Sequence, residues 1–185
     1  MPSNTDDRVH GVDCSAAFRV TRLERYGAAE LRTIVGDDAD PSGVSGLGLT
    51  WRPKEHHFGL QQEDRLVAHA GWVTVPVSIG DSRFPVAGLG GVVVSPKLRG
   101  QGLAQLVVEA AMAHARHDGL RFGLLFCLPD RVPLYRRLGW NPLVHKISIE
   151  QPEEIITMPL PGMWKSLYND ARWPQGPVRL LSLPM

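Results

Sequence analysis

The chain has 185 residues, of which 43% are hydrophobic and 21% are charged, and its formal net charge is +1. This length suits one domain with its own buried core, and the balanced charge provides no overall field to attract nucleic acid or an anionic membrane. Two cysteines are too few for a disulfide framework, and we find neither a secretory signal nor a membrane-spanning apolar run. We therefore expect a cytoplasmic protein without nucleic-acid or membrane partners.

The first half of the chain predicts a small antiparallel sheet behind a flexible start. Residues 1–13 are polar and aperiodic, which is typical of a flexible segment, and residues 14–185 are expected to form a single domain. Hydrophobic spacing and turn residues then predict a strand at 18–21, a helix near 31–36, an irregular loop at 41–54, and strands at 57–61, 66–77 and 84–94. Tight turns join the last three strands, so they are predicted to form an antiparallel meander.

The second half predicts a crossover from this meander to a parallel strand. Apolar residues that include Leu103, Leu106 and Val107 recur at helical spacing until Asp118-Gly119 ends the helix, and a continuous apolar run follows at 122–128. Further along we predict a short helix at 130–137, a strand at 144–149, an amphipathic helical turn at 164–171 and a strand at 178–183. Together these elements indicate an α/β fold with a mixed sheet flanked by helices.

The connection between the strand 92–94 and the following helix has the composition of a phosphate-binding loop. Gly100 and Gly102 permit close backbone approach to a ligand, and the first N–H groups of the helix remain unpaired. A P-loop is excluded because no Gly-Lys-Ser/Thr run follows, and a dinucleotide fingerprint is excluded because its third small residue is missing. The loop therefore predicts phosphate recognition of another kind.

The residues Arg99, Gly102 and Ala104 resemble the acyl-CoA signature of the GNAT N-acyltransferase superfamily, in which Arg or Gln precedes spaced Gly and Gly or Ala after a strand. The resemblance implies the GNAT fold and acetyl-CoA as cosubstrate, with the CoA pyrophosphate at the helix N-terminus. The implied cofactor-binding residues are Val92, Val93, Val94, Lys97, Leu98, Arg99, Gly100, Gln101, Gly102, Leu103, Ala104 and, toward the adenosine end, Arg131. The segments 66–70 and 173–176 look most like the aminoglycoside 2'-N-acetyltransferase and nodulation N-acyltransferase branch.

A second block, Val132 to Trp140, resembles the superfamily segment in which a tyrosine precedes a helix end marked by glycine and an aromatic residue. The tyrosine at this place, Tyr135, is implied to protonate the leaving thiolate. A phenol suits this role because it is neutral and donates a hydrogen bond near pH 7. The alternative is a core tyrosine on a short amphipathic helix.

The base that deprotonates the acceptor amine is not evident from the sequence. Members of the resembling branch tend to carry a glutamate on the strand before the glycine loop, where this chain has Gly88-Leu89-Gly90-Gly91. His69 is our candidate catalytic base, alongside the pair His56-His57 and the carboxylate of Met185. The histidine pair lacks the further ligands of a zinc site, so we expect no metal.

Cys127, in a buried strand, is interpreted as a small hydrophobic residue.

The resemblance thus implies an N-acetyltransferase that moves an acetyl group from acetyl-CoA to a primary amine of a small molecule, for instance an aminoglycoside. The backbone of Val92 and Val94 is expected to hold the pantetheine arm and polarise the thioester during direct attack. Loop carboxylates could form an acidic acceptor pocket, and tryptophans its apolar walls; these residues are Asp37, Asp38, Asp40, Glu63, Asp64, Trp51, Trp72 and Trp164. The alternatives are a peptide or protein amine as acceptor and a non-catalytic acyl-CoA-binding module, as a monomer or homodimer.

Overall fold

The computed structural model describes residues 18–38 and 40–185, so the predicted flexible segment 1–13 lies outside the described residues. The described chain forms strands and α-helices in this order: β1 (Phe18–Leu23), α1 (Ala28–Val35), β2 (His56–Gln62), β3 (Arg65–Ile79), β4 (Ser82–Val94), α2 (Leu103–His117), β5 (Phe122–Phe126), α3 (Val132–Arg137), β6 (Asn141–Pro142), β7 (Ile147–Glu150), β8 (Ile155–Thr157), β9 (Gly162–Ser166) and β10 (Val178–Leu180). None of the helices in these residues is long and apolar enough to cross a membrane.

All ten strands belong to one sheet with both parallel and antiparallel pairs, which confirms the predicted mixed sheet. Its main path runs β6-β9-β5-β4-β3-β10-β7-β8, with β2 paired to β3 and β1 paired to β2. The long strand β3 has β4 on one edge, while its other edge pairs with β2 over Arg65–Trp72 and with β10 over Val77–Ile79. The antiparallel meander β2-β3-β4 and the parallel crossover from β4 through α2 to β5 are confirmed.

Helix α2 packs against the sheet with a stripe that agrees only in part with the one predicted: Leu103 and Val107 are buried as expected. Its buried residues include Val107, Val108, Ala111 and Ala115, which join a core with residues of β2, β3 and β4. Leu106, predicted to be buried, is 40% exposed. The helix is apolar around most of its circumference, so periodicity alone leaves two candidate faces, and contact with the sheet selects one of them.

Two predictions near the C-terminus need correction, one in the type of element and one in where a strand begins. The helical turn predicted at 164–171 does not form, because Trp164 belongs to the strand β9 (Gly162–Ser166), which pairs antiparallel with β5 and β6 and is followed by bends and turns. A sheet edge formed by the buried strand β5 must be covered, and this pairing outweighs the weak helical spacing of Trp164 and Leu167. The strand predicted from Val144 begins only at Ile147, because Val144 is 91% exposed in the preceding turn.

Candidate active site

A cleft opens where β4 and β5 separate. The two strands pair only over Ala87–Leu89 and Gly123–Leu125. Just beyond, the β3–β4 register shifts, and Gly91 adopts a φ of +61°, so β4 carries a bulge. A bulge bends and twists its strand, which here leaves the backbone of residues 90–94 facing a cleft of about 860 Å³ rather than a neighbouring strand.

The cleft brings together most of the predicted site residues. Its lining contains Val92, Val93, Val94, Leu98, Arg99, Gly100, Gly102, Leu103, Ala104, Arg131 and Tyr135. Val93 is also part of a core cluster, in which it packs with Ile34 beneath α1. Lys97, Gln101 and His69 do not line the cleft. The exposed Lys97 and Gln101 belong to the same loop, whereas His69 is buried in β3.

The glycine loop leaves the N-terminus of α2 open toward the cleft. Gly100 and Gly102 have φ values of +83° and +78°, and Gly102 is the N-cap of α2 with no side chain to bond the first turn. The Arg99 guanidinium bends back and donates from Nε to the carbonyl of Val94 at 3.4 Å. Unpaired N–H groups, the helix dipole and a neighbouring guanidinium suit this place for a phosphate anion.

Tyr135 forms part of the cleft wall contributed by α3. Its side chain is buried and packs edge-to-face against Trp140, with ring centroids 6.2 Å apart. Burial, reinforced by the nearby Cys127, raises the pKa of the Tyr135 hydroxyl above its ordinary value. The hydroxyl therefore stays protonated at neutral pH and can act as a proton donor.

His69 sits behind the bulge, and both of its ring nitrogens are engaged. Nδ1 lies 2.7 Å from the carbonyl of Gly91, and Nε2 lies 3.0 Å from Nδ1 of His57. The ring also stacks on Tyr26, with centroids 3.4 Å apart. A carbonyl only accepts, so His69 donates from Nδ1, and because burial lowers its pKa to about 3 it is neutral and accepts from His57 at Nε2. This hydrogen bonding fixes the bulge and leaves no lone pair for a substrate proton.

Sequence reasoning missed Lys54, a half-buried residue that lines the cleft beside Gly90. A side chain at position 90 would overlap Lys54, and one at position 88 would lie 2.6 Å from the side chain of Met185. Gly88 and Gly90 therefore make room for Met185 and Lys54. In the sequence, the glycine-rich stretch at 88–91 indicates that other side chains could pack closely against β4. Only the structure shows that these side chains are those of Lys54 and Met185.

The predicted acidic acceptor pocket does not form in the described cleft. The loop carboxylates Asp37, Asp38, Asp40, Glu63 and Asp64 do not line it. Asp40 instead accepts hydrogen bonds from the backbone of Val44 and from Ser45, and the bonds from Ser45 lower its pKa. Of the predicted tryptophan walls, Trp51 lines the cleft, whereas Trp72 and Trp164 pack in the two core clusters.

A possible set of metal ligands lies outside this cleft. The residues next to His56 in the sequence do not complete a set of metal ligands. In the structure, however, the C-terminal end of α2 brings His114 and Asp118 so close to His56 that one ligand atom from each residue lies within 4.8 Å of the others. The guanidinium of Arg22 donates to Nδ1 of His56 at 3.3 Å. A cation at this position opposes the binding of a second cation, so the cluster is poorly suited to a metal ion.

Comparison with known proteins identifies the family. Residues 50–143, about half of the chain, match the acetyltransferase (GNAT) domain family. The chain belongs to this family. No curated protein matches the full sequence significantly. The family makes the protein an acetyl-CoA-dependent acetyltransferase, so the GNAT fold and enzyme class expected from the glycine loop are confirmed.

Solved GNAT structures share the fold at low sequence identity. A GNAT family N-acetyltransferase from Escherichia coli, in complex with CoA, is 19% identical with a TM-score of 0.58, covering 89% of this chain and 91% of that chain. A GNAT family acetyltransferase from Brucella melitensis, in complex with acetyl-CoA, is 18% identical with a TM-score of 0.56, covering 88% and 95%. Both cover nearly the whole of this GNAT chain.

Proposed function

We propose that this GNAT acetyltransferase moves the acetyl group of acetyl-CoA to a primary amine of a small molecule by direct attack within a ternary complex. The observation that carries the proposal is the single cleft between β4 and β5. Its walls contain the open N-terminus of α2, the edge of β4 that β5 leaves free beyond Leu89 and the protonated Tyr135. These are the groups needed to bind a diphosphate, to polarise a thioester carbonyl and to protonate a thiolate.

The donor side of the cleft suits the elongated anion CoA. The glycine loop offers N–H groups to the pyrophosphate, and the backbone of Val92 and Val94 lines the same cleft. Arg131 also lines the cleft, where its side chain is half exposed and near Asp130. Backbone N–H groups aimed at a developing oxyanion are worth roughly 3 kcal/mol of transition-state stabilisation.

We expect Gly102→Val to weaken acetyl-CoA binding about 10-fold, because a branched residue resists the left-handed φ of +78° and costs about 1–2 kcal/mol there. Calorimetric titration with acetyl-CoA measures the effect. Gly119→Val is the matched control, since Gly119 has a φ of +85° at the other end of α2, and neither position has an atom within 4 Å of an added methyl group. Equal affinity losses in the two variants would contradict a phosphate role for the loop.

The acceptor side favours an amine attached to an apolar body. Trp51 and Val44 supply apolar surface, both from the segment between α1 and β2. Among the described lining residues Asp130 is the one carboxylate side chain, against Lys54, Arg99, Arg131 and Arg137. This positive balance disfavours a polycation such as an aminoglycoside and favours an acceptor with one amine, which must be neutral to attack.

A thiol-release assay with a panel of amines tests the function. The panel contains benzylamine, tyramine, spermidine, kanamycin and a lysine-containing peptide, each supplied with acetyl-CoA. We expect the fastest turnover with the monoamines benzylamine and tyramine. Turnover of the peptide alone would show a protein acceptor, and fastest turnover of kanamycin would support the aminoglycoside branch. Tight acetyl-CoA binding without turnover of any amine would overturn the proposal.

Direct attack is favoured over an acetylated enzyme intermediate. Cys127 is the one cysteine in the described cleft lining, and burial raises the pKa of its thiol to about 11, so it stays protonated and unreactive. We expect Cys127→Ala to keep kcat within about 3-fold of the wild type, because it removes packing contacts and only the smaller of the two causes that raise the pKa of Tyr135. Steady-state kinetics check this result, and a loss of all turnover together with an acetylated Cys127 in intact-protein mass spectra would establish a covalent route.

A further inference from the structure

Lys54 lies in a channel made by a pair of glycines that face each other across two strands. Gly71 of β3 and Gly90 of β4 are direct cross-strand partners. A methyl group at Gly71 would come within 3.0 Å of Cβ and Cγ of Lys54, whereas one at Gly90 would overlap Cε and come within 3.0 Å of Nζ. The aliphatic stem therefore runs from β3 to β4 over bare backbone. This packing delivers the amine to the place where a side chain from position 90 would otherwise project.

The Lys54 amine has few partners that would stabilise its positive charge. Nζ donates to the carbonyl of Arg52 at 3.2 Å, and within the described part of the chain no carboxylate lies at ion-pair distance from it. Burial lowers the pKa of Lys54 to about 8. An appreciable fraction of the amine is therefore neutral at slightly alkaline pH, and a neutral amine can accept a proton.

Charged and titratable groups approach Lys54 from β2, from β3, from its own connection and from the last residue, Met185. His57 of β2 and His69 of β3 lie close enough that the Lys54 charge lowers the pKa of each, and both rings are held mainly neutral by burial. The main-chain carboxyl carbon of Met185 lies 3.1 Å from the position of a methyl group at Gly90, so the Met185 carboxylate faces the same part of the cleft as the Lys54 amine. Arg52 is paired with Glu55 at 3.1 Å. Lys54 is thus the basic group that combines a cleft position with a pKa near the working range.

Resting on the proposed function, we propose that Lys54 is the catalytic base that accepts a proton from the acceptor amine, in place of the glutamate missing from β4. The Lys54 amine takes one proton from the acceptor ammonium and becomes an ammonium itself. The freed amine nitrogen bonds to the acetyl carbonyl carbon, and the C–S bond breaks as the tetrahedral intermediate collapses. Tyr135 donates its proton to sulfur and regains one from the amide nitrogen, while Lys54 releases its proton to solvent.

The first test is Lys54→Met, which retains the stem and removes the base. We expect kcat with the fastest panel amine to fall by about 100-fold, the usual size of a general-base contribution, with acetyl-CoA affinity unchanged. The wild-type rate should rise with pH and level off above about 8, following Lys54. The variant should lose this inflection. If Lys54 had only a structural role, the inflection would remain. Lys54→Arg keeps charge and stem but cannot deprotonate, so it should be equally impaired.

Controls separate the base from the rest of the function. Lys146→Met removes an exposed lysine outside the cleft and should leave rate and pH profile unchanged. Reductive ¹³C-methylation followed by NMR titration measures the pKa of Lys54 without any acceptor, using Lys54→Met to identify its signal. If the wild-type enzyme acetylates an amine and Lys54→Met keeps the same rate and the same inflection, the assignment of Lys54 as the base is wrong but the proposed function stands. A wild-type enzyme that binds acetyl-CoA and acetylates no amine overturns the proposed function and the base with it.

Discussion

Replacing Tyr135 by Phe should lower kcat by about 100-fold or more while leaving the dissociation constant of acetyl-CoA within about 2-fold of the wild type. The phenyl ring keeps the edge-to-face contact with Trp140, so the variant loses the hydroxyl and little else. The hydroxyl is held protonated by burial and would deliver its proton only when the thiolate leaves. A group that acts in the transition state alone changes turnover rather than ground-state affinity.

Tyr168→Phe is the matched control for this substitution. The Tyr168 hydroxyl donates to the carbonyl of Arg116 at 2.8 Å, and Tyr168 does not line the cleft. Both variants are measured by thiol release for kcat and by calorimetry for acetyl-CoA affinity. Wild-type turnover in Tyr135→Phe would remove Tyr135 from the mechanism, and equal losses in both variants would indicate a general effect of hydroxyl removal on the fold.

The second large effect is a loss of stability in acid that originates at His69. Burial lowers the native pKa of His69 to about 3, below the value of 6.5 for an exposed histidine, so the unfolded chain binds this proton more tightly. The stabilisation is complete above pH 6.5 and is lost progressively as the pH falls toward 3. Within this window one such group changes the free energy of unfolding by about 1.4 kcal/mol per pH unit.

We expect His69→Asn to remove most of this dependence. The asparagine amide can donate to the carbonyl of Gly91 as Nδ1 of His69 does, but it does not titrate. Urea unfolding at pH 7, 6 and 5 measures the free energies, with the exposed His145→Asn as control for loss of a histidine. His57 and His114 also have lowered pKa values and remain in every variant. Parallel pH curves for the wild type and His69→Asn would contradict the assignment.

Local signals in the sequence predicted that the glycine loop and the strand before it lie together. The strand 92–94, the glycines at 100 and 102 and the helix from Leu103 are contiguous, so their relative positions follow from the turn they form. The structure places them together at the cleft, whose lining also contains Tyr135. Their roles in binding and proton transfer stay predictions until the variants are measured.

The acceptor side could not be predicted because it depends on long-range register. Lys54 lies far from the glycine loop in sequence, and only the pairing of Gly71 with Gly90 shows where its side chain fits. His69 was expected to be a base because its residue type suits proton transfer. Its hydrogen bonds to Gly91 and His57 exist only once three strands have aligned, and they favour a positioning role behind the bulge.

The cleft is lined partly by regular secondary structure and partly by an irregular connection. The donor wall is built from a bulged strand and a helix start, whereas Val44, Trp51 and Lys54 come from the irregular connection between α1 and β2. Substitutions in that connection alter few main-chain hydrogen bonds of the sheet. Substitutions in this connection are therefore expected to change which amine this enzyme prefers, while the strand and helix start that face the acetyl donor keep their positions.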